Sequence, residues 1–333
     1  MVARLSSLAP PPGWLATVTP TADIYFLNAM RDLLSPRGRL TALGPNVYGA
    51  GGRFVILRYA SDGELALVER ARPRQVFYVI DDDLEALSRS VELPAGYRSR
   101  LKAFVARALP RILAVADVIL APNALLLARF GDHATGLIWP SHTSLCDNFG
   151  HFADGSPLRL VFTGSRSHAG DLDMIAPALQ RLCSLYPDIE LTTFLGSSAP
   201  ASLQNRGNVV NRKALTWDAY KRLMATARFH IALAPFRRTA TNECRSHNKL
   251  NDHAAFGAAG LYGDILPYRE IVSHGGDGLL LPPDPDAWLD AIARLIEDSA
   301  SAHRLAEAGA ALSERIASPA RLRDFWCQRL ELD

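Results

Sequence analysis

Long apolar runs are missing from this 333-residue chain. No stretch approaches the ~18–20 uninterrupted apolar residues that a membrane-spanning helix needs. The first residues (MVARLSSLAPPPGW) hold one Arg but no apolar core of roughly 7–15 residues, so no signal peptide is expected. Cytoplasmic location is the resulting expectation. Cysteine is scarce: Cys146, Cys183, Cys244 and Cys327 stand apart with no C-x-x-C pair. They read as reduced thiols and not as a disulfide framework or a zinc knuckle. Nine histidines are dispersed without an H-x3-H or H-E-x-x-H arrangement, so no tightly bound metal is expected. An excess of one charge is lacking too. A formal charge of +2 is too small to make nucleic acid the main partner. No G-x-G-x-x-G follows an expected strand, and no G-x-S-x-G occurs, which sets aside a dinucleotide-binding dehydrogenase and a serine hydrolase.

What is present is globular: 48% apolar and 21% charged residues, in a chain longer than the ~250–300 residues at which one core stops growing. Two domains are expected, over 1–150 and 151–318, with a final helix over 319–333 packing back on the first. Short apolar runs alternate with helical patterns, the rhythm of parallel α/β architecture. In the first half, Arg53–Leu57, 76–80 (Val-Phe-Tyr-Val-Ile) and Val118–Ala121 read as strands. Leu101, Phe104, Val105, Ala108 and Ile112 mark one helix face, with Pro110 expected to bend it. Residues 139–157 lapse into Pro, Ser, His, Asn, Asp and Gly, a linker by composition. Strands then restart at 159–163, 189–194, 230–235 and 278–281. Leu172, Ile175, Ala176, Leu179, Leu182 and Cys183 form one helix face, another helix surrounds 249–256, and terminal helices are expected over 287–296 and 302–316.

Open parallel sheets bind ligands beyond the carboxyl ends of their strands, so the polar residues just after strands matter most. Thr163-Gly-Ser-Arg-Ser-His168, followed by Asp171, runs from a strand into a helix start. Free backbone N–H groups there, with Gly164 allowing close approach and Ser165 and Ser167 offering hydroxyls, suit a phosphate. An ordinary βα turn explains the same residues equally well. The run Asn242-Glu-Cys-Arg-Ser-His-Asn-Lys-Leu-Asn-Asp252 is too polar for a mere turn. Ser246 and Lys249 in the first turns of a helix would neutralise a departing diphosphate, and Glu243 and Asp252 would bind sugar hydroxyls. The plain alternative is a solvated helix start with Ser246 as N-cap. Asp81, Asp82 and Asp83 end a strand, where they would orient acceptor hydroxyls or hold a divalent ion loosely, or else cap a helix near Leu84.

Taken together, Thr-Gly-Ser-x-x-His-x-x-Asp, Asn-Glu-x-Arg-Ser-x-x-Lys-x-x-Asp, Ala-x-Gly, Pro-Tyr and Gly-Asp-Gly-Leu-Leu-Leu resemble the C-terminal domain of GT-B glycosyltransferases. The likeness is closest to the retaining group found in bacterial polysaccharide and lipopolysaccharide gene clusters, and it covers about 159–296. Asp81-Asp-Asp-Leu84 resembles an Asp-Asp-Leu element of relatives in those clusters. The resemblance implies an α/β GT-B fold, two Rossmann-like domains facing each other across a cleft. It implies a sugar moved from a nucleotide-sugar donor to a glycan or lipid-linked acceptor, with retention and without a required metal or other cofactor. Relatives bracket the donor with two acids separated by seven residues. Asp252 matches the second, on the nucleotide ribose; Cys244 stands at the first, with Glu243 beside it. Where relatives grip the diphosphate with Arg and Lys, His168 stands, and Arg237, Arg238, Arg245 and Lys249 are the candidate replacements. The residues so assigned are Glu243, Lys249 and His168 for catalysis, and Gly164, Ser165, Arg237, Asn242, Arg245, Ser246, Asp252 and Tyr268 for the donor. Asp81, Asp82 and Asp83 serve the acceptor side.

A non-catalytic binding or scaffold protein and a nucleotide-sugar epimerase on the same fold are the rival readings. The basic residues Arg98, Arg100, Lys102, Arg107 and Arg111 fit either a solvated helix face or a peripheral contact with the inner membrane face. Trp217, Trp288 and Trp326 read as packing residues. Nothing in the sequence indicates an oligomeric state.

Overall fold

The computed structural model describes residues 17–35, 38–153, 155 and 157–332. The proline run at 10–12 and the first residues lie outside them. The chain divides into two compact units. Unit 1 comprises Met1–Ser141, Cys244–Ser246 and Pro319–Asp333; unit 2 comprises His142–Glu243 and His247–Ser318. Among the described residues each unit is built on a six-stranded sheet.

Unit 1 starts with a meander. β1 (Leu40–Ala42) and β2 (Val47–Ala50) pair antiparallel, as do β2 and β3 (Arg53–Leu57), so this sheet is mixed and not purely parallel. The turn from β2 to β3 is Gly51-Gly52, with φ of 54° and 83°. Two left-handed residues match the twist of paired strands, and glycine reaches that region without a Cβ penalty. α1 (Asp62–Ala71) follows, opened by a capping box in which Ser61 and Glu64 satisfy each other's backbone N–H groups. Then come β4 (Gln75–Val79), α2 (Leu84–Arg89), α3 (Ala95–Val115), β5 (Val118–Ala121) and β6 (Ala134–Leu137), in sheet order β1-β2-β3-β4-β5-β6 with β3 to β6 parallel. α3 buries Leu101, Phe104, Ala108, Leu109 and Ile112 and runs unbroken past Pro110. Of its basic residues, Arg111 is paired with Asp62 at 2.7 Å and Glu69 at 2.9 Å.

Unit 2 is wholly parallel. β7 (Arg159–Phe162) leads into α4 (Ala169–Leu185), whose Leu172, Ile175, Ala176, Leu179, Leu182 and Cys183 are all buried. Each such aliphatic side chain contributes about 1.5–3 kcal/mol relative to exposure, enough to set which face docks. β8 (Glu190–Thr193), β9 (Val209–Asn211), α5 (Trp217–Thr226), β10 (Ile231–Ala234), α6 (Asn248–Phe256), β11 (Ala259–Gly263), β12 (Leu279–Leu281), α7 (Pro285–Glu297) and α8 (Ser299–Ala317) follow. The sheet order is β12-β11-β10-β7-β8-β9. α9 (Pro319–Leu330) belongs to unit 1, where the Trp326 indole donates to the Tyr25 carbonyl at 2.7 Å and packs edge-on against Phe26 and Phe77. Trp288 and Trp326 are fully buried. Among the described residues no helix is long and apolar enough to cross a membrane.

β11 carries none of the expected strand signals, because Ala-Gly-Leu-Tyr-Gly has low β propensity. Packing selects it instead. A Cβ on Gly263 would lie 2.4 Å from the Phe236 carbonyl oxygen, so β11 and the segment after β10 touch through backbone.

Candidate functional site

In unit 2 the first strand, β7, has β8 on one side and β10 on the other. Chain direction across the sheet reverses between β7 and β10, which opens a crevice at their carboxyl ends. After β7, Thr163 and Gly164 are buried and Ser165 is exposed. A Cβ on Gly164 would sit 2.2 Å from the Phe162 ring and 2.8 Å from the His168 Cβ, so the tight turn requires glycine. Ser165 and Ser167 hydroxyls lie 2.9 Å apart.

Asp171, in the first turn of α4 and 1% exposed, ties the two strand ends together. Its Oδ1 accepts from the Arg237 backbone N–H at 3.1 Å, from Arg237 Nε at 3.3 Å and from Asn242 Nδ2 at 3.0 Å. Its Oδ2 lies 2.9 Å from His168 Nδ1. Burial pushes the Asp171 carboxyl up, but His168, the Arg237 N–H and Asn242 outweigh it and hold the group below its ordinary value. The His168 ring lies flat on Phe236, centroids 4.8 Å apart and planes 13° from parallel. Asn242 also donates to the Arg237 carbonyl at 2.9 Å. The loop after β10 is thus rigid at its base, while the Arg237 side chain keeps 33% exposure.

α6 adds a second cluster. Lys249 Nζ donates to Asp252 Oδ2 at 2.8 Å and approaches the Thr163 carbonyl at 3.4 Å. Tyr220 on α5 donates its hydroxyl to the same Asp252 oxygen at 2.8 Å. Burial and then the Asp252 charge raise the Tyr220 phenol well above its usual value, so it stays protonated and donating. Lys249 is 18% exposed and is anchored beside the end of β7. His247 takes the cap position of α6 without a side-chain cap bond, so the expectation of Ser246 as N-cap is corrected.

The other assigned residues have partners of their own. Arg245 and Ser246 group with unit 1. There Arg245 Nη1 lies 3.8 Å from Asp82, and its carbonyl accepts from Asn123 Nδ2 at 2.9 Å. Cys244 lies in the apolar core of unit 1, and burial followed by the Asp83 charge raises its thiol. Tyr268 is fully buried, stacked on Tyr262 at 4.6 Å and edge-on to Phe236 at 5.6 Å; it supports the β10 loop from the core. Glu243 ends the short turn Ala240–Glu243 and pairs with Arg238 at 3.1 Å, its side chain 23% exposed.

The three consecutive aspartates of unit 1 have separate duties. Asp83 caps α2 by accepting from the Ala86 N–H at 2.9 Å. Asp81 and Asp82 both receive Arg58 Nη1, the latter at 2.8 Å, and Asp81 also accepts from the Thr21 hydroxyl at 2.7 Å. Burial drives the Asp81 carboxyl up and Arg58 opposes it. Arg58 itself sits at φ 61°, a strained position for a non-glycine residue. Among the described residues no group of three or more His, Cys, Asp or Glu side chains converges as metal ligands.

Asp171, Tyr220, Phe236 and Arg58 are the residues that sequence reasoning undervalued. The i, i+3 spacing of His168 and Asp171 is the one local signal for the first. The others are joined to their partners only by the fold.

No protein-family model matches the chain, and no curated protein sequence does. Solved structures do match. HepE of Anabaena, in complex with UDP and glucose, aligns with a TM-score of 0.57 and 14% identity over 81% of this chain and 75% of its own. Sucrose-phosphate synthase (tll1590) of Thermosynechococcus elongatus gives 0.53 and 15% over 81% and 71%. S. aureus TarM gives 0.55 and 9% over 79% and 51%, so the chain spans about half the length of TarM. The expected fold class is the one observed: this chain has the two-unit α/β architecture shared by these GT-B glycosyltransferases.

Proposed function

We propose that the chain is a glycosyltransferase that takes a nucleotide-sugar donor at the carboxyl ends of β7 and β10. The observation that carries this reading is the buried Asp171, which fixes His168, Arg237 and Asn242 around one crevice beside the anchored Lys249. As the glycosidic bond lengthens, negative charge grows on the diphosphate. Lys249, Arg237, the Ser165 hydroxyl and the backbone at Gly164 and Ser165 are assigned to receive it. Donors held in place before reaction need no reorganisation when the charge appears, which is why a rigid base under the loop serves catalysis. Asp252 positions Lys249 and is assigned to the ribose. Glu243 and His168 are assigned to the transferred sugar.

The UDP and glucose held by HepE support a nucleoside-diphosphate hexose as the donor class. Retention of configuration and independence from metal rest on the resemblance in sequence. The acceptor, a glycan or lipid-linked saccharide, is assigned to the side of Asp81, Asp82 and Asp83, and peripheral contact with a membrane surface through the basic face of α3 belongs to the same reading.

The test is thermal unfolding of the full chain against UDP, GDP, ADP and CMP and their sugars, followed by donor turnover. Stabilisation by one nucleotide family, with slow release of its diphosphate that Lys249→Ala removes, is the expected result. Stabilisation without turnover across the panel would reduce the chain to a GT-B-shaped binding protein, and absence of both would overturn the donor site. Product formed from donor alone, without hydrolysis or acceptor, would favour an epimerase.

A further inference from the structure

Unit 2 contains a second concentration of positive charge, away from the carboxyl ends of β7 and β10. On the sheet face lined by α5, a cavity of about 510 Å3 is walled by Arg159, Arg212 and Arg228 with Glu190, Thr192 and Phe194. Arg159 opens β7, Glu190 opens β8, Arg212 follows β9 and Arg228 follows α5. The parallel register sets Thr192 beside Val210, and alternate residues share a face, so Arg212 falls on the side of Thr192 and Phe194.

Four other arginines of this unit are answered by carboxylates: Arg181 by Asp286, Arg237 by Asp171, Arg238 by Glu243 and Arg269 by Asp264. Among the described residues none of the three cavity guanidiniums has a carboxylate within ion-pair distance. Arg228 Nη1 donates only to the neighbouring Ala227 carbonyl at 2.9 Å. Arg159 Nε is buried with no hydrogen-bond partner. Burial, His230 and then the Arg159 charge push His151, also on the cavity wall, down to about 4, so it remains neutral there.

Three like charges directed into one concavity repel one another, and a buried donor left unmade is unfavourable. Both conditions are relieved by an anion with several acceptor oxygens, and the guanidinium fork matches phosphate geometry. The volume lies within the range of small-molecule pockets. We propose that this cavity binds a phosphate-bearing small anion at a site separate from the Lys249 cluster. The proposal does not depend on the donor reading.

The experiment is thermal unfolding of the full chain in about 20 mM inorganic phosphate against chloride of matched ionic strength. A parallel arm uses glycerol 3-phosphate. A rise of about 3 °C or more is expected in at least one arm. A larger rise with glycerol 3-phosphate assigns the site to a phosphomonoester, and equal rises assign it to the phosphate group alone. The rise should vanish in the double variant Arg159→Gln, Arg212→Gln and persist in Lys249→Ala. Glu190→Gln, which removes the one carboxylate on the wall, should enlarge it, and this variant carries the test if the double variant does not fold. No rise in either arm, a rise that survives loss of both arginines, or a rise abolished by Lys249→Ala would overturn the proposal.

Discussion

Each unit gathers charge at the carboxyl ends of its strands, but with opposite logic. In unit 1, Asp81 and Asp82 converge on Arg58, Arg245 approaches Asp82, and Asp83 lies 3.4 Å from Arg129. In unit 2 two buried carboxylates, Asp171 and Asp252, organise donors, and the Arg237 side chain stays one-third exposed. The first arrangement neutralises its acids internally. The second places N–H groups and cations around a crevice, ready for an anion. The presence of charge does not distinguish a structural knot from a ligand site. The distinction lies in which groups remain open once the internal partners are counted.

That contrast breaks most visibly at Asp171. Asp171→Ala removes the shared acceptor of Arg237, Asn242 and His168 from a buried position. A loss of about 3–5 kcal/mol is expected, measured by urea unfolding at neutral pH. Asp171→Asn, which keeps the shape and one oxygen, should lose less. The native carboxyl lies below its unfolded value, so its contribution is present above the unfolded pKa of about 3.9 and fades as pH falls through the lower native value. Wild type and Asp171→Asn should therefore converge in acid; a gap independent of pH would remove the carboxylate from its assigned role.

Arg58→Met tests the other knot, with about 3 kcal/mol expected at neutral pH. Here the carboxyl is shifted the other way, although the deficit changes with pH in the same direction. Asp81 is already raised by burial, and losing Arg58 raises it further. A carboxyl whose native value exceeds its unfolded one favours the fold below the unfolded pKa and loses that contribution as pH rises through the native value. The deficit of this variant should therefore also shrink on acidification, because protonated Asp81 no longer needs Arg58. A deficit that is independent of pH would remove the Arg58–Asp81 pair from its assigned role.

A smaller effect in free energy, though large in rate, is expected at Lys249. Lys249→Ala should lower donor turnover by about 100-fold, the range seen when one preorganised donor to a developing charge is removed. Asp252→Ala frees Lys249 from its anchor and removes its assigned ribose contact, so the double variant should be worse than Lys249→Ala alone but fall short of the product of the two single losses. Full additivity in turnover would mean that the two residues act separately.

The contrast also explains what could be read before folding. Strands bounded by β-branched runs and turn residues, such as Arg53–Leu57 and Val118–Ala121, announce themselves because local period and propensity agree. Ala259–Gly263 does not, since backbone-to-backbone contact selected it. Local order showed that residues 242–252 were dense in function-bearing types. It did not show that Cys244, Arg245 and Ser246 belong to unit 1 while Glu243 and His247 belong to unit 2. That assignment depends on Asn123 and Asp82, both more than a hundred positions away. Arg58 was invisible for the same reason: a positive φ at a strand end carries no signature in an arginine.

The smallest effect is expected at Asp83, and it sharpens the comparison most finely. Its carboxylate accepts the Ala86 N–H at the start of α2, and its pair with Arg129 reaches a side chain that is 54% exposed. Exposed pairs contribute little, so the cap dominates, and Asp83→Ala should cost about 1 kcal/mol by chemical unfolding. Asp83→Asn keeps an oxygen that can accept the same N–H and should be nearly neutral for stability. Transfer to an acceptor then separates two roles that the fold superimposes. If Asp83→Asn transfers sugar as well as wild type, Asp83 is a helix cap and the acceptor reading narrows to Asp81 and Asp82. If it keeps full stability but loses transfer, the cap carboxylate also meets the acceptor, and the acids of unit 1 are less completely neutralised than their ion pairs imply.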